Sequence, residues 1–256
     1  MNPIFLSAGP RTATKSFRKQ LELYFNSSSW CLKDGGGIGH LNLNPYHQAS
    51  KFTYHRLKIG LLKQRLLNKQ IIFYQHLFPT DNNLRKLERL INIKETKFII
   101  SCRNIFDIAK SFQKAFLYPK INNVNTKSLF FDFKSSKYTG VRQYFSPTIH
   151  KFNIFDILLV LNFYALWINI EKKNILDVLF VDFEEITNKT EIVDQKLSNF
   201  LNKKIILNHT ISKIDDSKPK NIQSNEYDIK INDEINDLII NYAKQFNDVN
   251  FEIIGL

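Results

Sequence analysis

SAGPRTATKS, residues 7–16, directly follows the apolar run Ile4-Phe5-Leu6. The two segments together predict a short buried strand, a turn and the start of a helix. The turn departs at one position from the glycine-rich phosphate loop G-x-x-x-x-G-K-[ST], because Thr14 stands where that pattern has its second glycine. The sequence therefore raises the question whether this loop holds a phosphate group without that glycine.

The composition of the turn favours an anion as its ligand. Backbone N–H groups at the start of a helix point outward, and the helix dipole favours negative charge there. Arg11 and Lys15 add positive charge, while Thr12 and Thr14 add hydroxyl donors. A helix N-cap would account for one of the two threonines, but not for the second threonine or for the two cations beside them. We therefore expect an anion-binding loop after the first strand.

Strands and helices alternate along the rest of the chain. Short apolar runs predict strands at residues 3–7, 69–76, 96–103 and 177–183. Helical periodicity marks residues 15–25, 51–67, 84–93, 107–117, 152–170, 191–201 and 233–246. This order predicts an α/β fold with three layers, in which helices cover both faces of a central parallel sheet. We expect a single domain over residues 1–256, with an irregular insert at about 118–150.

The composition fits a globular domain with anionic partners. The chain has 256 residues, of which 43% are hydrophobic, so it is long enough to bury a core. Its net charge of +12 favours anionic ligands, although a general richness in Lys, Asn and Ile also raises the charge. Nucleic acid is not expected, since charge is its only signature. The two cysteines, Cys31 and Cys102, do not form a disulfide framework and suggest a reducing compartment.

The most apolar segment, residues 152–170, is predicted to be a buried helix. Asn153, Asp156, Asn162 and Asn169 interrupt it, whereas a membrane span needs about 20 nearly uncharged apolar residues. The first residues lead into a strand and lack the basic and long apolar regions of a secretory signal. We therefore expect a cytoplasmic protein without a membrane span.

Charged, aromatic and histidine side chains follow the predicted strands. The loop 10–15 follows the first strand, His76 the second and Arg103 the third, while Asp182 and Phe183 end the fourth. Ligands of parallel α/β sheets bind at the carboxyl ends of the strands. We therefore expect these residues to converge on one cleft.

Four of these segments resemble, in order, those of the sulfotransferases that use 3′-phosphoadenosine-5′-phosphosulfate (PAPS). GPRTATKSF (9–17) is similar to the family's 5′-phosphosulfate loop P-K-S-G-T-T-W, and IIFYQHLFP (71–79) to the strand ending in T-H-L-P that carries the catalytic histidine. FIISCRNIFDIAKSF (98–112) is similar to the 3′-phosphate motif, with its arginine and serine eight residues apart. VLFVDFEEI (178–186) is similar to the strand ending in Y-E-D-L, whose tyrosine lies near the adenine. The resemblance implies the P-loop-NTPase-like fold of these enzymes.

The same resemblance implies transfer of a sulfuryl group from PAPS to a hydroxyl group, or less favourably to an amine. Arg11 would stabilise the charge on the leaving 5′-phosphate, and His76 would act as general base toward the acceptor. PAPS would be the co-substrate, and no metal is expected. The residues that would bind it are Pro10, Arg11, Thr12, Ala13, Thr14, Lys15, Arg103, Ser111 and Phe183.

The chain departs from the family pattern in several places. Arg11 replaces a lysine, so it can stabilise charge but is a poor proton donor. The segment after His76 has one residue more before its proline, and Phe183 lacks the hydroxyl of the family's tyrosine. Nothing matches the R-K-G-x-x-G-x-W run found late in many members, for which Lys218 and Lys220 are the available substitutes. The residues at the C-terminal side of the adenine therefore stay unassigned.

Two other classes of function stay open at the level of the sequence. A Mg-dependent P-loop kinase or nucleotide hydrolase is indicated by Lys15, Ser16 and Asp182, the last ending a strand like that of Walker B. A non-catalytic module that binds polyanions is indicated by the net charge alone. The sequence leaves open whether Lys15 reaches phosphate or solvent, and whether His40 or His150 is a second base. The acceptor, a small molecule or a carbohydrate, and the oligomeric state also stay open.

Overall fold

The structure is a computed structural model. It describes residues 2–9, 12, 14–26, 30–31, 51–75, 77, 79, 81–109, 132–135, 142–145, 154–208 and 233–256. Its strands are β1 (Ile4–Ala8), β2 (Trp30–Cys31), β3 (Ile72–Gln75), β4 (Lys97–Cys102), β5 (Asp132–Ser135), β6 (Arg142–Phe145) and β7 (Asp177–Asp182). Its α-helices are α1 (Thr14–Tyr24), α2 (Lys51–Leu67), α3 (Asp81–Glu88), α4 (Ile154–Lys172), α5 (Phe183–Asn188), α6 (Thr190–Leu201) and α7 (Asp233–Ala243). Residues 105–109 are also helical.

Five strands form a parallel sheet in the order β2-β3-β1-β4-β7. The first strand of the chain lies in the middle, paired with β3 on one side and β4 on the other. Parallel neighbours need a crossover that leaves the sheet and returns, and helices make these connections here. The carboxyl ends of all five strands therefore lie along one edge.

Apolar side chains of β1 alternate between two cores. Phe5 stacks between Phe73 and Phe98 at 5.1 and 5.5 Å, on the face that α4 covers. Ile4 and Leu6 point to the opposite face, where they pack with residues of α1 and α6. Successive side chains of a strand lie on opposite faces, so a strand such as β1, which is buried at every position, is covered by layers on both sides. The predicted α/β class with a three-layer arrangement is confirmed.

Helix α4 is the most deeply buried helix of the described chain. Residues 160–170 are all buried, including the amides of Asn162 and Asn169. The prediction of a buried helix in this region is confirmed. No helix in the described ranges has both the length and the hydropathy that a membrane crossing requires.

Asparagine ends several helices in the way that glycine usually does. Asn26, Asn68, Asn174 and Asn202 follow α1, α2, α4 and α6 with φ between 45 and 50°. A residue in this left-handed region turns the chain away from the helix axis, and asparagine adopts it more readily than other non-glycine residues. The chain has only eight glycines, so these asparagines explain how its helices end.

Strand β2 was not predicted from the sequence, and the helix expected at 84–93 is α3, Asp81–Glu88. Two further features differ from the sequence-based expectation. The insert at 118–150 is not irregular throughout, because β5 and β6 pair antiparallel within it, with Asp132 opposite Phe145. The aromatic residues of these strands favour a hairpin, which the polar residues between them conceal. The second difference is α5, a helix that begins immediately after β7 where only a strand end was expected.

Candidate functional site

The described strand ends bring three of the predicted site segments to one edge of the sheet. Ala8 pairs with Ser101, and Cys102 pairs with Asp182. The residues that follow these strands, Gly9, Arg103 and Phe183, therefore lie in adjacent positions. The expected convergence is observed for these three segments.

The turn after β1 is held from inside by Thr12. This side chain is buried, and its hydroxyl donates to the carbonyl of Gly9 at 2.9 Å. The hydroxyl of Ser101, on β4, lies 2.8 Å from the same oxygen. A hydroxyl has one proton, so Ser101 is the donor in the second bond. Thr12 was expected to donate to a phosphate, whereas here its proton is used within the protein and shapes the loop.

Tyr164 of α4 lies directly under the same turn. Its hydroxyl donates to the carbonyl of Ser101 at 3.1 Å. Burial raises the pKa of Tyr164 well above its ordinary value, so the side chain stays a neutral phenol. A Cβ at Gly9 would overlap the Tyr164 hydroxyl, which explains why the residue that opens the loop is glycine.

Gly9→Ala is expected to lower the free energy of unfolding by about 1–3 kcal/mol, because the added methyl group overpacks the space against Tyr164. Urea unfolding followed by circular dichroism measures this change. In a Tyr164→Phe background, where the obstructing hydroxyl is absent, the same substitution should be at least about 0.5 kcal/mol less costly. An equal cost in both backgrounds would show that the hydroxyl does not restrict position 9.

Two buried side chains hold the chain at Leu77, directly after β3. The N–H of Leu77 donates to the hydroxyl oxygen of Ser7 at 2.9 Å. Its carbonyl accepts from the indole Nε1–H of Trp167 at 3.1 Å. Ser7 lies on β1 and Trp167 on α4, so the central strand and the buried helix together fix the residue that follows His76 in the sequence.

Arg103 and Phe183 form a stacked pair at the ends of β4 and β7. The guanidinium carbon lies 4.1 Å from the centroid of the phenyl ring, which is close for a cation–π contact. The sequence assigns these two residues separately, Arg103 to the 3′-phosphate and Phe183 to the adenine. The structure brings them together, with one face of the ring taken by the arginine.

The chain after Arg103 begins a helix with a side-chain cap. Oδ1 of Asn104 accepts from the N–H groups of Phe106 and Asp107 at 2.9 and 3.3 Å. Such a cap satisfies donors that have no partner within a helix. Residues 105–109 are therefore fixed directly beyond the arginine.

Asp182 caps helix α5. Its Oδ1 accepts from the N–H of Glu184 at 2.8 Å, and the Glu185 carboxylate accepts from the N–H of Asp182 at 3.2 Å, which completes a capping box. Burial raises the pKa of the Asp182 carboxyl, and the hydrogen bond from Glu184 opposes this rise. Among the described residues, no group of three or more His, Cys, Asp or Glu side chains is placed to hold a metal ion. The carboxylate that resembles Walker B is thus part of a helix cap.

Helix α1 begins at Thr14, so the predicted loop does lead into a helix. The hydroxyl of Ser16, in the first turn, is buried and has no hydrogen-bond partner among the residues that the structure describes. Four N–H groups at a helix start lack intrahelical partners. For Thr14 and Lys15 the structure describes the position of the backbone only.

Several predicted residues lie outside the described residues. They are Pro10, Arg11, Ala13, His40, His76, Ser111, His150, Lys218 and Lys220. Their roles stay predictions from the sequence.

Sequence reasoning missed four buried side chains whose hydrogen bonds support the carboxyl ends of the strands, namely Ser7, Ser101, Tyr164 and Trp167. The sequence does contain a pattern that indicates them. Ser7 and Ser101 are polar residues inside otherwise apolar strands, and Tyr164 and Trp167 lie three residues apart on one helix. A buried polar group needs a partner, so each of these positions marks a hydrogen bond to be found.

Comparisons with known proteins add a similarity of fold. No family profile and no curated protein matches the chain. A solved structure, the sulfotransferase domain from the curacin biosynthetic pathway, is similar over 80% of this chain and 75% of its own, with 13% identity and a TM-score of 0.44. That similarity is too distant to assign a function, which is proposed below from the chain's own residues.

Proposed function

We propose that this chain is a sulfotransferase that moves a sulfuryl group from PAPS to a hydroxyl group of a small molecule or carbohydrate. The observation that carries the proposal is the Arg103–Phe183 pair, which lies at the same sheet edge as the turn at Gly9. A cation that follows the strand next to this turn suits a nucleotide with a second phosphate group. The four sequence segments of the sulfotransferase pattern support the same reading.

The 5′-phosphosulfate would bind at the start of α1. Backbone N–H groups of its first turn, Thr14 and Arg11 would hold the phosphate oxygens. In the transfer, the bond between sulfur and the 5′-phosphate oxygen breaks, and its electron pair stays on that oxygen. A new bond forms between sulfur and the acceptor oxygen. Arg11 would stabilise the charge that develops on the leaving phosphate.

The 3′-phosphate would bind to Arg103, with Ser111 as a further donor. A guanidinium offers two parallel N–H groups to a phosphate. Its contact with the Phe183 ring restricts the orientation of the guanidinium. The adenine would then stack on the other face of Phe183 or on a neighbouring surface.

The acceptor hydroxyl must lose its proton as the new bond forms, and His76 would take it. A neutral imidazole accepts a proton near pH 7. The hydrogen bonds that Leu77 donates to Ser7 and accepts from Trp167 support this role, because they fix the backbone next to position 76. A general base must be held within hydrogen-bond distance of the proton that it removes.

The kinase or nucleotide hydrolase alternative finds less support. Thr14 stands where a P-loop needs glycine for close contact between backbone and phosphates. Asp182, the residue offered as a metal ligand, uses its carboxylate to cap α5. Neither residue is thereby suited to hold ATP with Mg²⁺.

Titration calorimetry with adenosine 3′,5′-bisphosphate tests the proposal. We expect this nucleotide to bind at least about tenfold more tightly than ATP and to do so in the presence of EDTA, because Arg103 recognises a 3′-phosphate that ATP lacks. Equal affinities, or binding of either nucleotide only with Mg²⁺, would contradict it. Labelled PAPS with a panel of sugars and phenols then identifies the acceptor.

A further inference from the structure

Helix α2 has two apolar faces, of which one is buried. Leu57 and Leu61 belong to the core. Ile59, Leu62 and Leu66, called the α2 stripe below, are 55, 56 and 75% exposed. At 3.6 residues per turn these three lie within about 60° of each other around the helix, opposite the buried face. Single exposed apolar residues are common, but a continuous stripe of them marks a contact surface.

Basic side chains line both sides of the α2 stripe. Lys58 and Arg65 are exposed on one side and Lys63 on the other. Residues 51–70 contain six lysines and arginines and no aspartate or glutamate. The long apolar stems of such side chains extend along an apolar surface while their charges reach outward.

The positive charge of α2 favours an anionic lipid bilayer over a second copy of the chain as the partner of the stripe. Pairing of α2 with α2 of a second copy would bring basic residues together without any acidic residue of the helix to neutralise them. An anionic lipid bilayer offers an apolar interior for the stripe and negative head groups for the flanking cations. A helix with an apolar stripe and basic flanks suits such an interface, where it lies parallel to the membrane plane.

We propose that α2 docks the α2 stripe onto the surface of an anionic lipid bilayer, as a peripheral contact. Lys58, Lys63 and Arg65 contact the head groups. This inference does not depend on the proposed enzymatic function, and its test measures binding alone.

Flotation of the full chain with lipid vesicles tests the proposal. We expect binding to phosphatidylcholine vesicles that contain about 30% phosphatidylserine but not to pure phosphatidylcholine, and weaker binding as salt rises. Ile59→Ser/Leu62→Ser/Leu66→Ser leaves the net charge of +12 unchanged. It should lower the partition coefficient by about tenfold or more, because the apolar contact is lost.

A matched control removes three apolar side chains that are exposed elsewhere. Leu23, Ile192 and Ile206 are 52, 40 and 64% exposed, and their replacement by serine should leave vesicle binding unchanged. If circular dichroism shows that the triple α2 variant does not fold, Leu66→Ser alone replaces it, because Leu66 is the most exposed residue of the stripe. This single substitution should lower the partition coefficient by about twofold or more.

Two results would overturn the proposal. One is vesicle binding by a folded α2 variant as tight as that of the unmodified chain, which would show that charge alone is responsible. The other is a dimer in sedimentation that the α2 substitutions convert to a monomer, which would assign the stripe to a second copy of this chain.

Discussion

His76→Ala is expected to lower turnover by about 10²–10⁴-fold, the usual contribution of a positioned acid–base group, while affinity for adenosine 3′,5′-bisphosphate stays unchanged. The nucleotide is assigned to the loops after β1 and β4, so its binding does not need this imidazole. Because the base must be unprotonated to act, the rate of the unmodified enzyme should rise with pH through the pKa of His76. Steady-state rates between about pH 5 and 8 measure this rise, which should be absent in the variant.

His40→Ala and His150→Ala are the matched comparisons, since both histidines are the alternative candidates for the base. We expect each to keep the pH-dependent rise. If the His76 variant keeps most of its activity and the His40 or His150 variant loses its activity, the histidine whose replacement abolishes turnover is the base instead. Circular dichroism of each variant checks that the fold is kept.

Arg103→Ala should weaken binding of adenosine 3′,5′-bisphosphate by about 10- to 100-fold, because hydrogen bonds to charged groups are worth about 1.5–3 kcal/mol. Adenosine 5′-monophosphate, which lacks the 3′-phosphate, should bind the variant and the unmodified chain equally well. Calorimetry with the two nucleotides therefore isolates one phosphate group. Phe183→Leu should give a smaller loss for the bisphosphate, since it removes the ring that orients the guanidinium.

Arg18→Ala provides the control for this series. Its guanidinium also stacks on an aromatic ring, 5.1 Å from the centroid of Tyr74, but it projects from the second turn of α1. Its removal should leave the preference for the bisphosphate unchanged. An Arg103 variant that loses affinity for both nucleotides to the same degree would show that the residue does not recognise the 3′-phosphate.

Local sequence patterns predicted four of the five strands of the parallel sheet, β1, β3, β4 and β7, because each of these four is short, largely apolar and flanked by polar residues. The strand predicted at 177–183 is β7, Asp177–Asp182, and the helix predicted at 51–67 has these bounds in the structure. Helix α5 was missed although its capping box was visible as Asp182 and Glu185, because the apolar run before it suggested a strand end alone. The hairpin of β5 and β6 was missed because its connection is too long to carry a two-residue turn signal.

The sequence predicted the site residues that directly follow a strand. It did not predict the hydrogen bonds between residues that lie far apart in the chain. Arg103 and Phe183 each directly follow a strand, so the topology alone brings them close. The bond between Thr12 and Ser101 joins residues 89 positions apart, and no local pattern indicates it. The same holds for Tyr164, which reaches the turn at Gly9 from a helix that the sequence shows only as apolar.

The two aromatic anchors of α4 have a consequence for motion at this edge of the sheet. Tyr164 holds the β4 side through the carbonyl of Ser101, and Trp167 holds the β3 side through the carbonyl of Leu77. One helix carries both anchors, so we expect the two sides to open together as one cooperative unit. In the proposed enzyme, admission of the acceptor and departure of the spent nucleotide would then be synchronised by the protein itself, even though the two molecules need not touch the same residues.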